Sequence, residues 1–323
     1  MVTPQQLITQ YIAYFNRAPD PDGYAFWLFE VQARELGLVE LARIFSESDE
    51  AREIYPLLGT PGFLTEARVE NFLGDVYQNL FNRDLDGAGR DFYVPRILDG
   101  RLAVEQAIAQ IINGAKGGDE QVLSNKAAAA QYFFTTLADV PGFEYLDPDG
   151  TPNAEAEALA RSVVADADGT PESVDAARVD VDAFVAQLAN QAPTAVNDTA
   201  LASEDDPLTV PATGVLTNDT DPEGGTLTVT AVNGVESDVG TLINLASGAR
   251  LTLNADGSYT YDPNGKFEDL TEGQFETDTF EYTVSDEFGA SDTATVTVKI
   301  EGKADENTFT LTENADIIPG LIG

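Results

Sequence analysis

The chain has 323 residues, of which 56 are acidic and 17 basic, for a net charge of −39, with 43% apolar residues and neither cysteine nor histidine. That length accommodates two or three domains with real cores. The charge excludes phosphate-neutralising nucleic-acid binding, and the two missing residue types exclude disulfides, thiolate sites and any His-based catalytic arrangement.

No apolar run reaches the ~20 residues that a membrane-spanning helix needs. The start, MVTPQQLITQ, lacks a basic region followed by an apolar core, so no Sec-type signal peptide is expected there.

In chain order, Thr3-Pro4-Gln5-Gln6 predicts a helix start, with Thr as N-cap, Pro at the first position and Gln three residues on. Leu7, Ile8, Tyr11, Ile12 and Phe15 then recur at helical spacing. A second helix is expected over about 23–36, with Phe26, Trp27 and Val31 facing inward, and a third over 38–45, with Ser48 capping a further turn. After the 59–62 break the pattern restarts. Thr65 caps a helix bearing Val69, Phe72, Leu73, Val76 and Tyr77, followed by helices near 92–98, 102–112 and 119–137.

The restart is a repeat. At a constant offset of 66, Phe15/Phe81, Asn16/Asn82, Arg17/Arg83, Asp20/Asp86, Gly23/Gly89 and Phe26/Phe92 are identical, and Trp27 answers Tyr93. Residues 1–139 are therefore expected to form an all-α domain of seven or eight short helices with internal duplication.

Between 140 and 192 there are 11 acidic and 2 basic residues, Pro/Gly clusters and two modest helical patterns, at 154–164 and after Thr170-Pro171-Glu172. This stretch is expected to be an acidic helical connector that packs on the first domain.

At 192–193 the period changes from 3.6 to 2. Alternating runs at 207–211, 226–232, 250–253, 258–261, 279–284 and 293–300, separated by Asp/Asn/Gly/Pro turns, predict a seven-stranded β-sandwich over 193–301. A further strand-like run at 307–311 lies in 302–323, expected to be the start of another segment of a longer protein. The fold class is thus multidomain, α then β.

Two sets of acidic loops are candidate calcium sites. In the helical repeats, Asp20-Pro21-Asp22-Gly23 and Asp84-Leu85-Asp86-Gly87 both read D-x-D-G, and Asn82 extends the second to the first half of a helix–loop–helix calcium loop. The twelfth position is Tyr93 or Phe29, where a bidentate Glu belongs, so Asn82, Asp84, Asp86, Asp20 and Asp22 rank second. The same residues equally suit helix caps held by Arg17 and Arg83. In the sandwich, Asp219, Asp221 and Asp286 rank first, with Asp198, Glu204 and Asp205 nearer the linker. A hard cation needs six to eight oxygens, so two loops would have to converge; alternatively, N-D-x-D-P-x-G is simply a good turn. No Walker loop, G-x-S-x-G, S-x-x-K or post-strand G-x-G-x-x-G occurs, and no enzymatic activity is expected.

The motifs at 192–198 (APTAVND), 216–224 (LTNDTDPEG), 254–261 (NADGSYTY) and 278–286 (DTFEYTVSD) resemble the cadherin-like, VCBS-type repeats of bacterial adhesins and other large surface proteins. The repeated F-N-R-x-x-D-x-x-G-x-x-F of the helical half is similar to an extracellular domain found at the N-termini of surface-layer and RTX-type proteins of Gram-negative bacteria. It is also faintly similar to the helical linker domain of light-harvesting antennae. The tail NTFTLTENADIIPG resembles the lead-in to an RTX or surface-layer segment.

These resemblances imply an extracellular, calcium-requiring surface protein exported by type I secretion without an N-terminal signal. Its helical domain would be held by envelope polysaccharide, lipopolysaccharide or neighbouring copies of itself, and its sandwich would be a calcium-stiffened spacer. The alternatives are the targeting half of a type I-secreted hydrolase whose catalytic domain follows residue 323, and a cytoplasmic scaffold.

Overall fold

A computed structural model describes residues 2–59, 64–146 and 151–304. The tail motif at 307–320 lies outside the described residues, as does the Asp147–Gly150 cluster. The chain is α then β, and it divides into two compact units, Met1–Leu188 and Ala189–Gly323.

The first unit comprises α1 (Pro4–Phe15), α2 (Pro21–Ala33), α3 (Leu38–Ser46), α4 (Asp49–Ile54), α5 (Pro56–Gly59), α6 (Glu66–Phe81), α7 (Gly87–Leu98), α8 (Val104–Gly114), α9 (Gly118–Ala138), α10 (Ala154–Ala165) and α11 (Pro171–Ala189). The capping box expected at Thr3 is formed. The Gln6 N–H donates to Thr3 Oγ1 at 3.2 Å, and the Thr3 N–H donates to Gln6 Oε1 at 3.0 Å.

Helix α1 is buried on every side from Leu7 to Phe15, because it serves two cores. Leu7, Tyr11, Tyr14 and Phe15 pack with residues of α3, α6, α7 and α8, while Ile8 and Ile12 pack with residues of α9, α10 and α11. The acidic stretch after 140 thus contributes Tyr145, Ala156, Val163 and Phe184 to a core shared with α1 and α9. Burying an aromatic such as Phe133 contributes about 2–3 kcal/mol.

The repeated residues are stop and start signals. Asn16 (φ 47°) and Asn82 (φ 54°) end α1 and α6 in the left-handed region, which Asn tolerates better than most residues. Asp20 and Asp86 are N-caps whose Oδ1 accepts, at 2.7 Å each, from the N–H of Gly23 and of Gly89. A Cβ at Gly89 would lie 2.5 Å from Tyr77 Oη, and one at Gly23 would lie 2.6 Å from Asp20 Oδ2, so each cap geometry needs glycine.

Phe26 does not face inward: it is 56% exposed, and its repeat partner Phe92 is 45% exposed. Trp27, one residue on and therefore about 100° around the helix, takes the inward position and packs edge-on against Phe45 with centroids 4.8 Å apart.

The second unit is a two-sheet sandwich of β1 (Asp198–Ser203), β2 (Leu208–Val210), β3 (Thr228–Val232), β4 (Ile243–Asn244), β5 (Arg250–Leu253), β6 (Tyr259–Asp262), β7 (Phe275–Ser285) and β8 (Ser291–Glu301). One sheet runs β1-β8-β7-β3 and the other β2-β6-β5-β4. Alternation in β8 sends Ala294, Val296, Val298 and Ile300 into the core, against Leu251, Tyr261, Phe280 and Tyr282 among others. The described residues form eight strands where seven were expected, and strand β1, which the alternation pattern did not mark, pairs parallel with β8 in the register Asp198↔Val296 to Ser203↔Glu301.

Candidate functional site

The site is built around Tyr282, an inward residue of β7 that is fully buried. Pairing of β1 with β8, and of β8 with β7, delivers Asp198 to its hydroxyl. A short 3-10 turn, Gly214–Thr217, delivers Asp219 from the other direction. The hydroxyl lies 2.9 Å from Asp219 Oδ2, 3.0 Å from Asp219 Oδ1, 3.1 Å from the Val215 carbonyl and 3.3 Å from Asp198 Oδ2. A phenol donates one proton, so these acceptors compete for it.

Burial pushes the carboxyl of Asp198 up to about 6, and the neighbouring Asp219 adds to the shift. Asp219 is itself pushed up by burial, partly offset by the Val196 N–H that donates to its Oδ1 at 2.7 Å. Burial and the two carboxylates together hold the Tyr282 phenol above its ordinary range.

Around this centre, carboxylates fasten loops by accepting backbone N–H groups. Asp221 Oδ1 accepts from Glu223 at 3.1 Å and from Gly225 at 2.8 Å. Asp286 Oδ1 accepts from Phe288 at 2.9 Å and Ala290 at 3.0 Å, and its Oδ2 accepts from Asn190 Nδ2 at 2.8 Å. These bonds, led by that from Asn190, hold the Asp286 carboxyl below the usual carboxylate range. Asp292 Oδ2 accepts from the Ala195 N–H at 2.9 Å, and Glu223 receives both the N–H and the side-chain amide of Gln191.

The structure therefore brings Asp198 and Asp219 together and gives Asp221 and Asp286 separate loop contacts. Glu204 and Asp205 lie beyond the far end of β1. The Glu204 N–H donates there to the Glu301 carbonyl, and Glu204 Oε1 accepts the Lys303 N–H. In the helical unit, Asp20 and Asp86 cap helices and Asp22 sits in the first turn of α2. Asp84 Oδ1 accepts from Gln78 Nε2, and Asn82 Nδ2 donates to the carbonyls of Ala165 and Ala167.

Sequence reasoning missed Tyr282 and Asp292. The inward position of a Tyr in an alternating strand is the one signal that marked the former.

Among the described residues, no three acidic side chains are gathered so as to hold a metal ion. Buried oxygens without a hydrogen-bond partner there include Asp221 Oδ2 and Glu204 Oε2. Against the six to eight oxygens that calcium takes, the donor set as arranged does not form a complete calcium shell.

The second unit is a two-sheet sandwich with a parallel β1–β8 edge pair. Residues 190–302 match the family model of the bacterial cadherin-like domain. No curated protein matches the chain. One solved structure that it resembles is a nucleoside hydrolase-related hypothetical protein from Saccharophagus degradans associated with carbohydrate metabolism. The two are 12% identical over 93% of this chain and 86% of that one, with a TM-score of 0.23. Among the described residues no helix is long and apolar enough to cross a membrane.

Proposed function

We propose that the chain belongs to a non-enzymatic cell-surface protein of the adhesin or surface-layer class. The helical unit acts as the anchoring or assembly module, held by envelope polysaccharide such as lipopolysaccharide or by neighbouring copies of itself. The sandwich acts as a spacer.

The observation that carries this reading is the bacterial cadherin-like match over 190–302. The loop fastenings support it physically. Asp219, Asp221, Asp286 and Asp292 each fix a loop by accepting backbone N–H groups, and a spacer that transmits force benefits from loops that do not swing.

Labelling intact producing cells with an antibody, alongside protease treatment of the same cells, tests the reading. Surface labelling and loss of the protein to external protease are expected. Exclusive recovery from the cytosol would sink it.

A second reading, calcium-dependent stiffening of the spacer, is favoured by the buried unpartnered Oδ2 of Asp221 and by the crowded Asp198–Asp219 pair. Bound cations would offset the repulsion of so acidic a chain. A melting temperature that rises in millimolar calcium, less so in Asp221→Asn, is expected on this reading. Identical melts in calcium and in chelator would remove the metal from it.

A further inference from the structure

Each sheet ends in two edge strands, and an edge offers unpaired N–H and C=O groups to any extended chain that reaches it. Three of the four edges here are blunted. Strand β4 has two residues, and β2 has three, set between Pro207 and Pro211. Strand β3 is irregular between Val229 and Ala231, and its Val229 N–H is already donated to the Ala255 carbonyl. Among the described residues strand β1 has none of these protections: its six residues, DTALAS, contain no proline or lysine and run in unbroken register with β8.

Beside β1, between the rims of the two sheets, lies a cleft of about 270 Å³ lined by Leu201, Leu208, Val210, Val215 and Tyr259 among others. Leu201 is 58% exposed. The edge is acidic at both ends, with the half-buried Asp198 at its start and the exposed Asp205 and Asp206 just past its finish.

The geometry points to β1 as a docking edge for an extended segment of another protein, one that alternates apolar and polar residues and carries Lys or Arg at both ends. Main-chain hydrogen bonds to β1 supply the affinity, and alternate side chains entering the cleft supply the selection. The charges decide against a second copy of this chain. An antiparallel β1–β1 pair sets each Asp198 against the partner's acidic cluster, a parallel pair sets like end against like end, and each chain brings a net −39. Like charges facing each other across strands destabilise pairing.

The test uses the full chain and three short fluorescent peptides: alternating valine and threonine with lysine flanks, the same with two central prolines, and the same with glutamate flanks. The first is expected to bind about tenfold or more tighter than either control, and to protect from hydrogen exchange the amides of 199, 201 and 203, which alternate with those turned to β8. Leu201→Lys is expected to weaken it about tenfold. Leu242→Lys, the same charge change at an exposed residue beside β4, is expected to leave it unchanged.

Equal binding of the proline peptide would show charge attraction alone, and equal binding of the glutamate peptide would remove the charge selection. Dimers of the chain that Leu201→Lys dissolves would make a second copy the occupant. Each of these overturns the proposal. Should Leu201→Lys fail to fold, the exchange footprint on the unmutated chain decides.

Discussion

The hydroxyl of Tyr282 lies 2.9 Å from Oδ2 of Asp219, deep in the sandwich, and this contact joins a core strand to an acidic loop 63 residues away in the sequence. Removing the donor leaves a buried carboxylate short of a partner, a cost of about 1–3 kcal/mol. Tyr282→Phe is therefore expected to lower the stability of the sandwich by that amount in denaturant melts, and Asp219→Asn by less, because an amide still accepts from Tyr282.

Asp198 carries a carboxyl pushed from the ordinary 3.8 up to about 6. Between those values the folded state holds more protons than the unfolded one, so stability falls as pH rises from about 4 to about 6. Asp198→Asn is expected to flatten that part of the melting-temperature profile and to raise the midpoint at pH 7. An unchanged profile would place the shift elsewhere.

The ammonium of Lys126 is buried in the helical unit, where it donates to the Asn79 carbonyl at 2.9 Å, and burial lowers its pKa to about 8 from 10.5. Above pH 8 the unfolded state holds the extra proton, so the helical unit gains stability as pH rises toward 10, by on the order of 2 kcal/mol. Helical circular dichroism melts at pH 7 and pH 9.5 should show this rise in the native chain and lose it in Lys126→Met.

The two repeat arginines differ in setting. Arg17 is buried and pairs with Glu50, its guanidinium 5.2 Å from the Tyr11 ring centroid. Arg83 is about one-third exposed and grips Asp119 and Asp86. Desolvation makes an unpaired partner more costly, so Arg17→Ala is expected to destabilise by about 2–4 kcal/mol and Arg83→Ala by about 1 kcal/mol. Lysine, lacking the planar fork, should not rescue position 17.

Two glycines should respond with opposite signs. A Cβ at Gly89 meets Tyr77 Oη at 2.5 Å and Leu85 Cδ1 at 3.0 Å, whereas one at Gly74, inside α6, meets nothing within 4 Å. Gly89→Ala is expected to cost about 1–3 kcal/mol, and Gly74→Ala to add about 0.5–1 kcal/mol through helix propensity. Thermal melts of the two variants check the pair.

What the sequence determined by itself was local or periodic. Thr3, Asn16, Asp20, Thr65, Asn82 and Asp86 announce helix ends because a cap is satisfied by residues within four positions of it. The change to period 2 announced the sandwich because each strand shows one face to the core.

What only the tertiary structure decided depends on partners far along the chain. That β1 is a strand at all follows from its pairing with β8, nearly a hundred residues later. Neighbouring positions 26 and 27 are both aromatic, so composition did not tell which faces in, and Phe45 settles it for Trp27. The acidic loops were legible as acidic, but the use of each carboxylate was not. Asp292 meets Ala195 and Asp219 meets Val196 only because the sheets align them. Asp198 is pushed up toward neutrality because that alignment buries it beside Asp219, where a charge loses its water.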